Sequence, residues 1–400
     1  MTKLNINKII EEIAEKFHEE LMNLGYIEGG HNGPYNHEET PVRNTSHWIL
    51  TFSYLYKTTK NRKFYNAVRK CANYLLSNEA RPMNAAFHCR KNRSADFSNG
   101  LIGQAWAIEG LVEAYKITND SQYINCALDV FHLHPFSPID GLWKIVNVDG
   151  SIKGFDMTFN HQLWFAAAGT ELFKVTYDEK IFNELNVFFE RITQNLEFYK
   201  NGLIRHLIEP KKTLYNKMKY FGKKIYNQKL NILDKKTMKY KEIGYHCFNL
   251  YAFAIIKNNG FQLQLFDSNK FTNSIKYMLS GEYIKGLLDT HHEKDIVMPK
   301  LLTKVNVNRY GYAYNAPGFE VPYIILTFKD KINDQNIDEI INYFITKQFQ
   351  YTFDSSLNTF SKNTEDPKTL TSRIYEITRY LNLVRKRAEK PTNINKEGFK

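Results

Sequence analysis

Two aspartates occupy matched places in this chain of 400 residues. Asp96 begins the stretch Asp-Phe-Ser-Asn-Gly, Asp156 begins Asp-Met-Thr-Phe-Asn-His, and each stretch leads into an apolar run. Two carboxylates that face one cavity can divide the work of protonating a sugar oxygen and activating a water molecule. Helix capping is the competing role for each, because Asp is favoured at helix N-termini. The matched placement favours a catalytic pair.

Three histidines lie at similar transitions from a polar stretch to an apolar one: His47, His161 and His246. Histidine in such a place can act as a base, hydrogen-bond a sugar hydroxyl, or be a satisfied polar residue in the packing. Their equivalent positions favour a functional role. We therefore predict that His161 and His246 are catalytic with the two aspartates, and that His47 contacts the substrate.

Other polar and aromatic residues near the same transitions suit an acidic sugar. Arginine can hold a carboxylate through two parallel hydrogen bonds, and aromatic rings can stack on sugar rings. Glu320 is either a first-turn partner of a helix dipole or a further functional carboxylate. The predicted substrate-binding residues are Arg43, His47, Trp48, Asn99, Asn160, Trp164, Tyr245, Tyr312, Glu320 and Arg373. No metal and no cofactor is predicted.

The elements that position these residues form an irregular repeat. Leu101–Tyr115 and His161–Phe173 are apolar on nearly all sides, which is typical of buried helices, whereas Lys63–Leu76 and Ile181–Leu196 are amphipathic. Such self-similarity marks a repeat architecture. Apolar inner segments begin near residues 44, 98, 159, 244, 318 and 371. The pattern predicts an all-α fold, an (α/α)6 toroid of six helical hairpins around one cleft, with Leu4–Leu24 as the sixth outer helix.

The continuous repeat favours one domain over residues 1–400. Within it, residues 200–241 carry twelve lysines and one arginine against two acidic residues, nearly all of the net charge of +12. This segment is predicted to be a basic insertion between the third and fourth inner helices, and 386–400 a flexible tail. The insertion is either a solvated surface or an electropositive rim that contacts an anionic polymer or a membrane surface. No nucleic-acid motif is present, so no nucleic-acid partner is expected.

The composition also gives an indication of the cellular compartment. Four scattered cysteines imply no disulfide framework, and neither a signal-peptide run nor a membrane span is apparent. A cytoplasmic protein is predicted.

The motifs also resemble known families. The tandem hairpins are similar to the six-hairpin glycosidase superfamily. Asp96–Leu101 together with Phe155–Asn160 resembles the unsaturated glucuronyl hydrolases, which implies that Asp156 is the acid/base and Asp96 its partner. Gly100–Trp106 is similar to the N-acylglucosamine 2-epimerases and the glucuronyl C5-epimerases. The His-Asp pair that commonly precedes this helix in the hydrolases is missing, because Ala95 precedes Asp96.

The sequence therefore predicts a carbohydrate-active enzyme for an acidic, uronic-acid-containing oligosaccharide or polysaccharide. Glycoside hydrolysis by Asp156 and Asp96 is the favoured reaction. One alternative is a lyase or epimerase that moves a proton with His161 or His246 and Tyr312. A second is a non-catalytic module that binds a glycan or a membrane through residues 200–241.

Overall fold

A closed ring of inner helices organises the chain in the computed structural model, which describes residues 5–92, 96–210, 232–290, 306–332 and 336–389 (for 232–236, the backbone alone). Each inner helix packs against the next, and the last packs back on the first. Within the described ranges the inner helices are α2 (Val42–Thr59), α4 (Gly100–Thr118), α6 (Phe159–Thr176), α8 (Ile232–Asn258), α11 (Pro317–Thr327) and α14 (Tyr375–Glu389). The predicted (α/α)6 toroid is confirmed.

The outer layer consists of amphipathic helices, each packed against the inner helix that precedes or follows it. Its members are α1 (Ile6–Leu24), α3 (Arg62–Leu75), α5 (Ser121–Leu133), α7 (Glu179–Asn195), α9 (Asn269–Met278), α10 (Gly281–Leu287) and α12 (Ile337–Thr352), and a short α13 (Pro367–Ser372) precedes α14. Helix α1 packs on α2 and α3, where Phe17 stacks on Trp48 with ring centroids 4.3 Å apart. The predicted N-terminal outer helix is therefore present.

Helix α8 begins earlier than the sequence pattern indicated. The pattern placed the fourth inner start near residue 244, but the helix already starts at Ile232, because 232–243 contain neither Gly nor Pro to interrupt it. Tyr245 and His246 consequently lie inside the helix rather than at its start.

The ends of the predicted basic segment 200–241 belong to regular elements, a hairpin strand and the first turns of α8, while 211–231 lie outside the described residues. Of the predicted tail, 386–389 complete α14 and 390–400 also lie outside them.

Short antiparallel strands in the connections were not predicted, since none is long enough to show a clear alternation. One sheet has the order β1 (Phe136–Ser137), β2 (Leu142–Val146), β3 (Ile152–Phe155), and two hairpins pair β4 (Leu196–Phe198) with β5 (Ile204–Ile208) and β6 (Phe353–Asp354) with β7 (Thr359–Phe360). Strand β5 buries alternate residues, and Leu207 forms a bridge with Thr158 just before α6. This bridge anchors β5 beside the first turn of α6.

A buried ion cluster joins three inner helices within the ring. Arg379 of α14 donates hydrogen bonds to Glu109 of α4 and, at 2.6 Å, to Glu171 of α6. Burial raises the pKa of Glu109 to about 8. At Glu171 burial is the largest single effect, but the charges of Arg379 and Lys116 and the hydrogen bond from Arg379 together outweigh it and lower the pKa. One guanidinium thus ties α4, α6 and α14 together.

In the described part of the chain, no helix combines the length and apolarity needed to cross a membrane.

Candidate active site

The first turns of the inner helices and the preceding loops enclose a cavity of about 150 Å³. Its buried floor includes residues from α2, α4, α6 and α8, and partly exposed side chains surround its mouth. The predicted site residues that line it are Arg43, Asn99, Asn160, His161, Tyr245 and Arg373. The ring therefore gathers at one end residues that are up to 330 positions apart in the sequence (373 − 43).

His161 and Asp156 form a hydrogen-bonded pair at the start of α6. Nδ1 of His161 lies 2.8 Å from Oδ2 of Asp156, whose side chain is 4% exposed. The same carboxylate accepts from the backbone N–H groups of Leu101 and Thr158, each at 3.1 Å. Burial raises the pKa of Asp156, but His161 and these hydrogen bonds outweigh it, so the pKa lies below its ordinary value. Asp156 is thus ionised, and its carboxylate orients the His161 ring through Nδ1. The Nε2 atom of His161 is left for a ligand in the cavity.

Asp96 has the contacts of a residue that organises a helix start. Its Oδ2 accepts from the backbone N–H of Gly100 at 2.9 Å, and its Oδ1 accepts from the Ser98 hydroxyl at 2.5 Å. Asp96 does not line the cavity. The geometry is therefore that of capping, the competing role for this residue.

His206 was missed by the sequence analysis, although it lines the cavity and is only 9% exposed. Strand β5 positions it, and its backbone N–H donates to Oε1 of Glu242 at 2.9 Å. Burial, with the charges of Lys241 and His161, lowers the pKa of His206 well below its ordinary value, so the ring is neutral at pH 7. The alternation Ile-Arg-His-Leu-Ile after a Gly-containing turn was the signal that could have found it.

Two buried arginines on the cavity floor are held by carboxylates. Nη1 of Arg43 lies 3.4 Å from Glu39, and its guanidinium lies over the Trp106 ring, 4.2 Å from the centroid. Arg373 donates to Glu320 at 2.7 Å and to Glu376 at 2.5 Å. Nε and Nη2 of Arg43, and Nε and Nη1 of Arg373, have no hydrogen-bond partner among the described residues. Each arginine therefore keeps N–H donors for a bound ligand.

The remaining predicted site residues do not line the cavity: Asp96, Asp156, His47, Trp48, Trp164, His246, Tyr312 and Glu320. Most of them are packing residues. His47 stacks on Tyr375 with centroids 4.3 Å apart, and Trp164 stacks on Phe248 at 4.6 Å. Both ring nitrogens of His246 are engaged, by Ser274 and Ile204, and burial lowers its pKa to about 4. Their orientation depends on helix packing, which local sequence does not specify.

No cluster of three or more His, Cys, Asp or Glu side chains suited to a metal ion occurs among the residues that the structure describes. The four cysteines are buried and unpaired with one another.

Known proteins resemble this chain in sequence and in fold. No family model matches the chain. Archaeal glycosylation protein Q of Haloferax volcanii is 35% identical over 364 residues, which span 89% of this chain and 92% of that protein.

Solved structures share the fold at low identity. A cellobiose 2-epimerase from Bacillus thermoamylovorans is 12% identical with a TM-score of 0.60, over 94% of this chain and 99% of its own. An α-1,6-mannanase from Salegentibacter is 13% identical with a TM-score of 0.53, over 94% and 99%. An unsaturated glucuronyl hydrolase specific for heparin is 11% identical with a TM-score of 0.53, over 95% and 98%. These likenesses show a common toroid fold, which hosts different reactions.

Proposed function

This chain belongs to the family of archaeal glycosylation protein Q, and from that premise we propose that it is a carbohydrate-active enzyme, a sugar epimerase or isomerase. Two histidines at one cavity, His161 and His206, carry the proposal. Both side chains line the same cavity, so both can reach one substrate bound there. The name of the relative supports a sugar of a glycan as the substrate class.

The proposed reaction moves a proton at a carbon next to a carbonyl or carboxyl group. One imidazole takes the proton from the carbon, the C–H electron pair moves to form an enediolate, and an imidazole returns a proton to carbon. His161 is suited to the first role because Asp156 fixes its Nδ1 and stabilises the imidazolium that forms. Arg43 and Arg373 have spare N–H donors that can stabilise the developing oxyanion.

Hydrolysis by Asp156 and Asp96, the reaction favoured by the sequence, has weaker support. A general acid needs a pKa near the working pH, but that of Asp156 is lowered and both its oxygens accept hydrogen bonds. Asp96 does not line the cavity. The fold does not discriminate, since both epimerases and hydrolases share it.

Deuterium exchange tests the proposal directly. The protein is incubated in D₂O with uronic acids, neutral aldoses and uronate-containing oligosaccharides, and NMR monitors the carbon next to the carbonyl or carboxyl group. We expect deuterium incorporation without cleavage of glycosidic bonds. Cleavage without exchange, abolished in Asp156→Asn, would instead identify a hydrolase.

The proposal includes an acidic glycan as partner, a cytoplasmic location, and a contact of residues 200–241 with a membrane or anionic polymer. Of that segment, 211–231 lie outside the described residues.

Gly100 offers a test of the His161–Asp156 geometry. It has a φ of +54°, and a Cβ there would lie 2.4 Å from Oδ2 of Asp156 and 2.9 Å from Nδ1 of His161. Gly100→Ala is therefore expected to displace the pair and slow exchange by about 100-fold. It should also lower the free energy of unfolding by about 1–2 kcal/mol. Exchange kinetics and urea denaturation measure the two effects.

Gly260→Ala is the matched control, because Gly260 also has a positive φ, +100°, and a Cβ there meets nothing within 4 Å. Wild-type exchange in Gly100→Ala would mean that the observed pair geometry is not needed for the reaction.

A further inference from the structure

Cations at the cavity mouth differ from those on its floor in how they are compensated. On the floor, Arg43 pairs with Glu39, and Arg373 pairs with Glu320 and Glu376. At the mouth, Arg90 and Lys241 line the same cavity, and neither forms an ion pair with any described carboxylate. Within the described residues, the lining arginines and lysines of the site that lack an ion pair therefore lie at its mouth.

The two mouth cations come from separate parts of the chain and line one cavity together with Tyr35. A backbone bridge between Glu39 and Arg90 holds the Arg90 segment beside the loop that precedes α2. Lys241 extends from α8, with Nζ 5.0 Å from the centroid of the Tyr35 ring. Arg90 lines the same cavity as Tyr35 and Lys241. Arg90 and Lys241 thus contribute two positive charges to one cavity rather than to unrelated parts of the surface.

Both cations are partly buried, and neither forms an ion pair among the described residues. Nε of Arg90 is buried and has no hydrogen-bond partner among the described residues. Burial lowers the pKa of Lys241 to about 8, against a weaker opposing effect of Glu242. Removing a charge from water without a partner is unfavourable, so an anionic ligand would stabilise this arrangement.

We propose that Arg90 and Lys241 form an anion-binding subsite, which holds a carboxylate or phosphate group of the sugar while the reacting carbon lies at His161 and His206. Guanidinium supplies paired N–H donors and ammonium a compact charge, and both suit either anion. The inference rests on the proposed function, and it assigns recognition of the acidic group to Arg90 and Lys241 rather than to Arg43 and Arg373.

Calorimetric titration with three sugars tests this subsite, because it measures binding and does not depend on turnover. Glucose, glucuronate and glucose 6-phosphate share a ring and differ at one position, which is neutral, a carboxylate or a phosphate. Arg90→Gln and Lys241→Met are each expected to weaken binding of the preferred anionic sugar by about 10- to 100-fold, and that of glucose by less than about 2-fold. The wild-type preference between glucuronate and glucose 6-phosphate identifies the anion.

Lys239→Met is the matched control, since Lys239 is on the same helix, exposed, and 3.6 Å from Glu282. Its binding should equal that of wild type, and circular dichroism checks that every variant is folded. Equal loss of glucose binding in the mouth variants would overturn the proposal, because the residues would then only shape the cavity. Equal binding of all three sugars by wild type, or binding of none, would also overturn it. Selective anion binding without deuterium exchange would reject the epimerase or isomerase reaction and retain the subsite.

Discussion

Replacing His161 with glutamine is expected to slow deuterium exchange into the sugar by about 100- to 10,000-fold, the usual contribution of a positioned acid or base. Glutamine keeps a polar side chain of similar length but cannot take a proton from carbon at neutral pH. The Asp156 carboxylate would remain in place, held by the N–H groups of Leu101 and Thr158. Because only proton transfer is removed, kcat should fall far more than KM rises.

The chain provides a matched control for this substitution. Nε2 of His132 lies 3.1 Å from Oδ2 of Asp178, so it is also a histidine paired with an aspartate, but it lies on the outer helix α5. His132→Gln should exchange deuterium at the wild-type rate. If His161→Gln keeps exchange within a few-fold of wild type while folded, His161 does not transfer the proton.

The second large effect concerns stability and involves Arg373. Its side chain is fully buried between Glu320 and Glu376 and also donates to the carbonyl oxygen of Asn315 at 2.9 Å. Arg373→Met is expected to lower the free energy of unfolding by about 3–5 kcal/mol, because it leaves buried carboxylates without their cation. Urea denaturation of the purified variant measures this loss.

The pH dependence of that loss has a definite sign. Burial raises the pKa of Glu376 from 4.5 to about 7 even with Arg373 present, and burial together with Glu376 raises that of Glu320. Without the opposing guanidinium both pKa values rise further. A group with a raised folded-state pKa stabilises the fold below its unfolded pKa, and this contribution is lost as the pH rises through the folded value. The variant should therefore lose more stability at pH 8 than at pH 5.

Two controls separate the buried charge from a general effect of substitution. Adding Glu376→Gln to Arg373→Met should recover part of the lost stability, since it removes one of the stranded carboxylates. Lys8→Met breaks an exposed pair with Glu12, 3.8 Å apart, and should cost no more than about 0.5 kcal/mol. A loss in Arg373→Met that is small and independent of pH would contradict the buried-pair explanation.

Much of the fold is predictable because helix periodicity is local information. The starts of α2, α4, α6 and α11 lie within a few residues of the predicted positions, since each follows a turn-rich stretch. The start of α8 is not within a few residues of its predicted position, because its first turns are lysine-rich rather than apolar and Gly244 lies inside the helix instead of at its start. The polar composition of residues 200–241 indicated an insertion, but the described ends of this segment form a strand and the start of a helix.

The residues of the candidate site also fall into those that the sequence predicted and those that it did not. The local pattern of the chain indicates that polar residues precede each inner helix, and this was enough to select Arg43, Asn160 and His161. The same pattern did not select His206, which lies on a hairpin strand, or Lys241, which lies in the early turns of α8. The neighbours of these two residues in the sequence do not indicate a cavity.

Which of these polar groups face the cavity depends on contacts between distant segments of the chain. Closure of the ring brings the Tyr314 hydroxyl to within 3.2 Å of Nη1 of Arg43, a residue 271 positions away. It also brings Asp156 against the N–H of Leu101 at the start of α4, and turns His246 towards Ser274. Sequence patterning determines that a helix has a polar start, but the rotation of that helix against its neighbours determines where each side chain points. That rotation depends on packing between distant segments, so only the folded chain distinguishes a candidate site residue from a buried one.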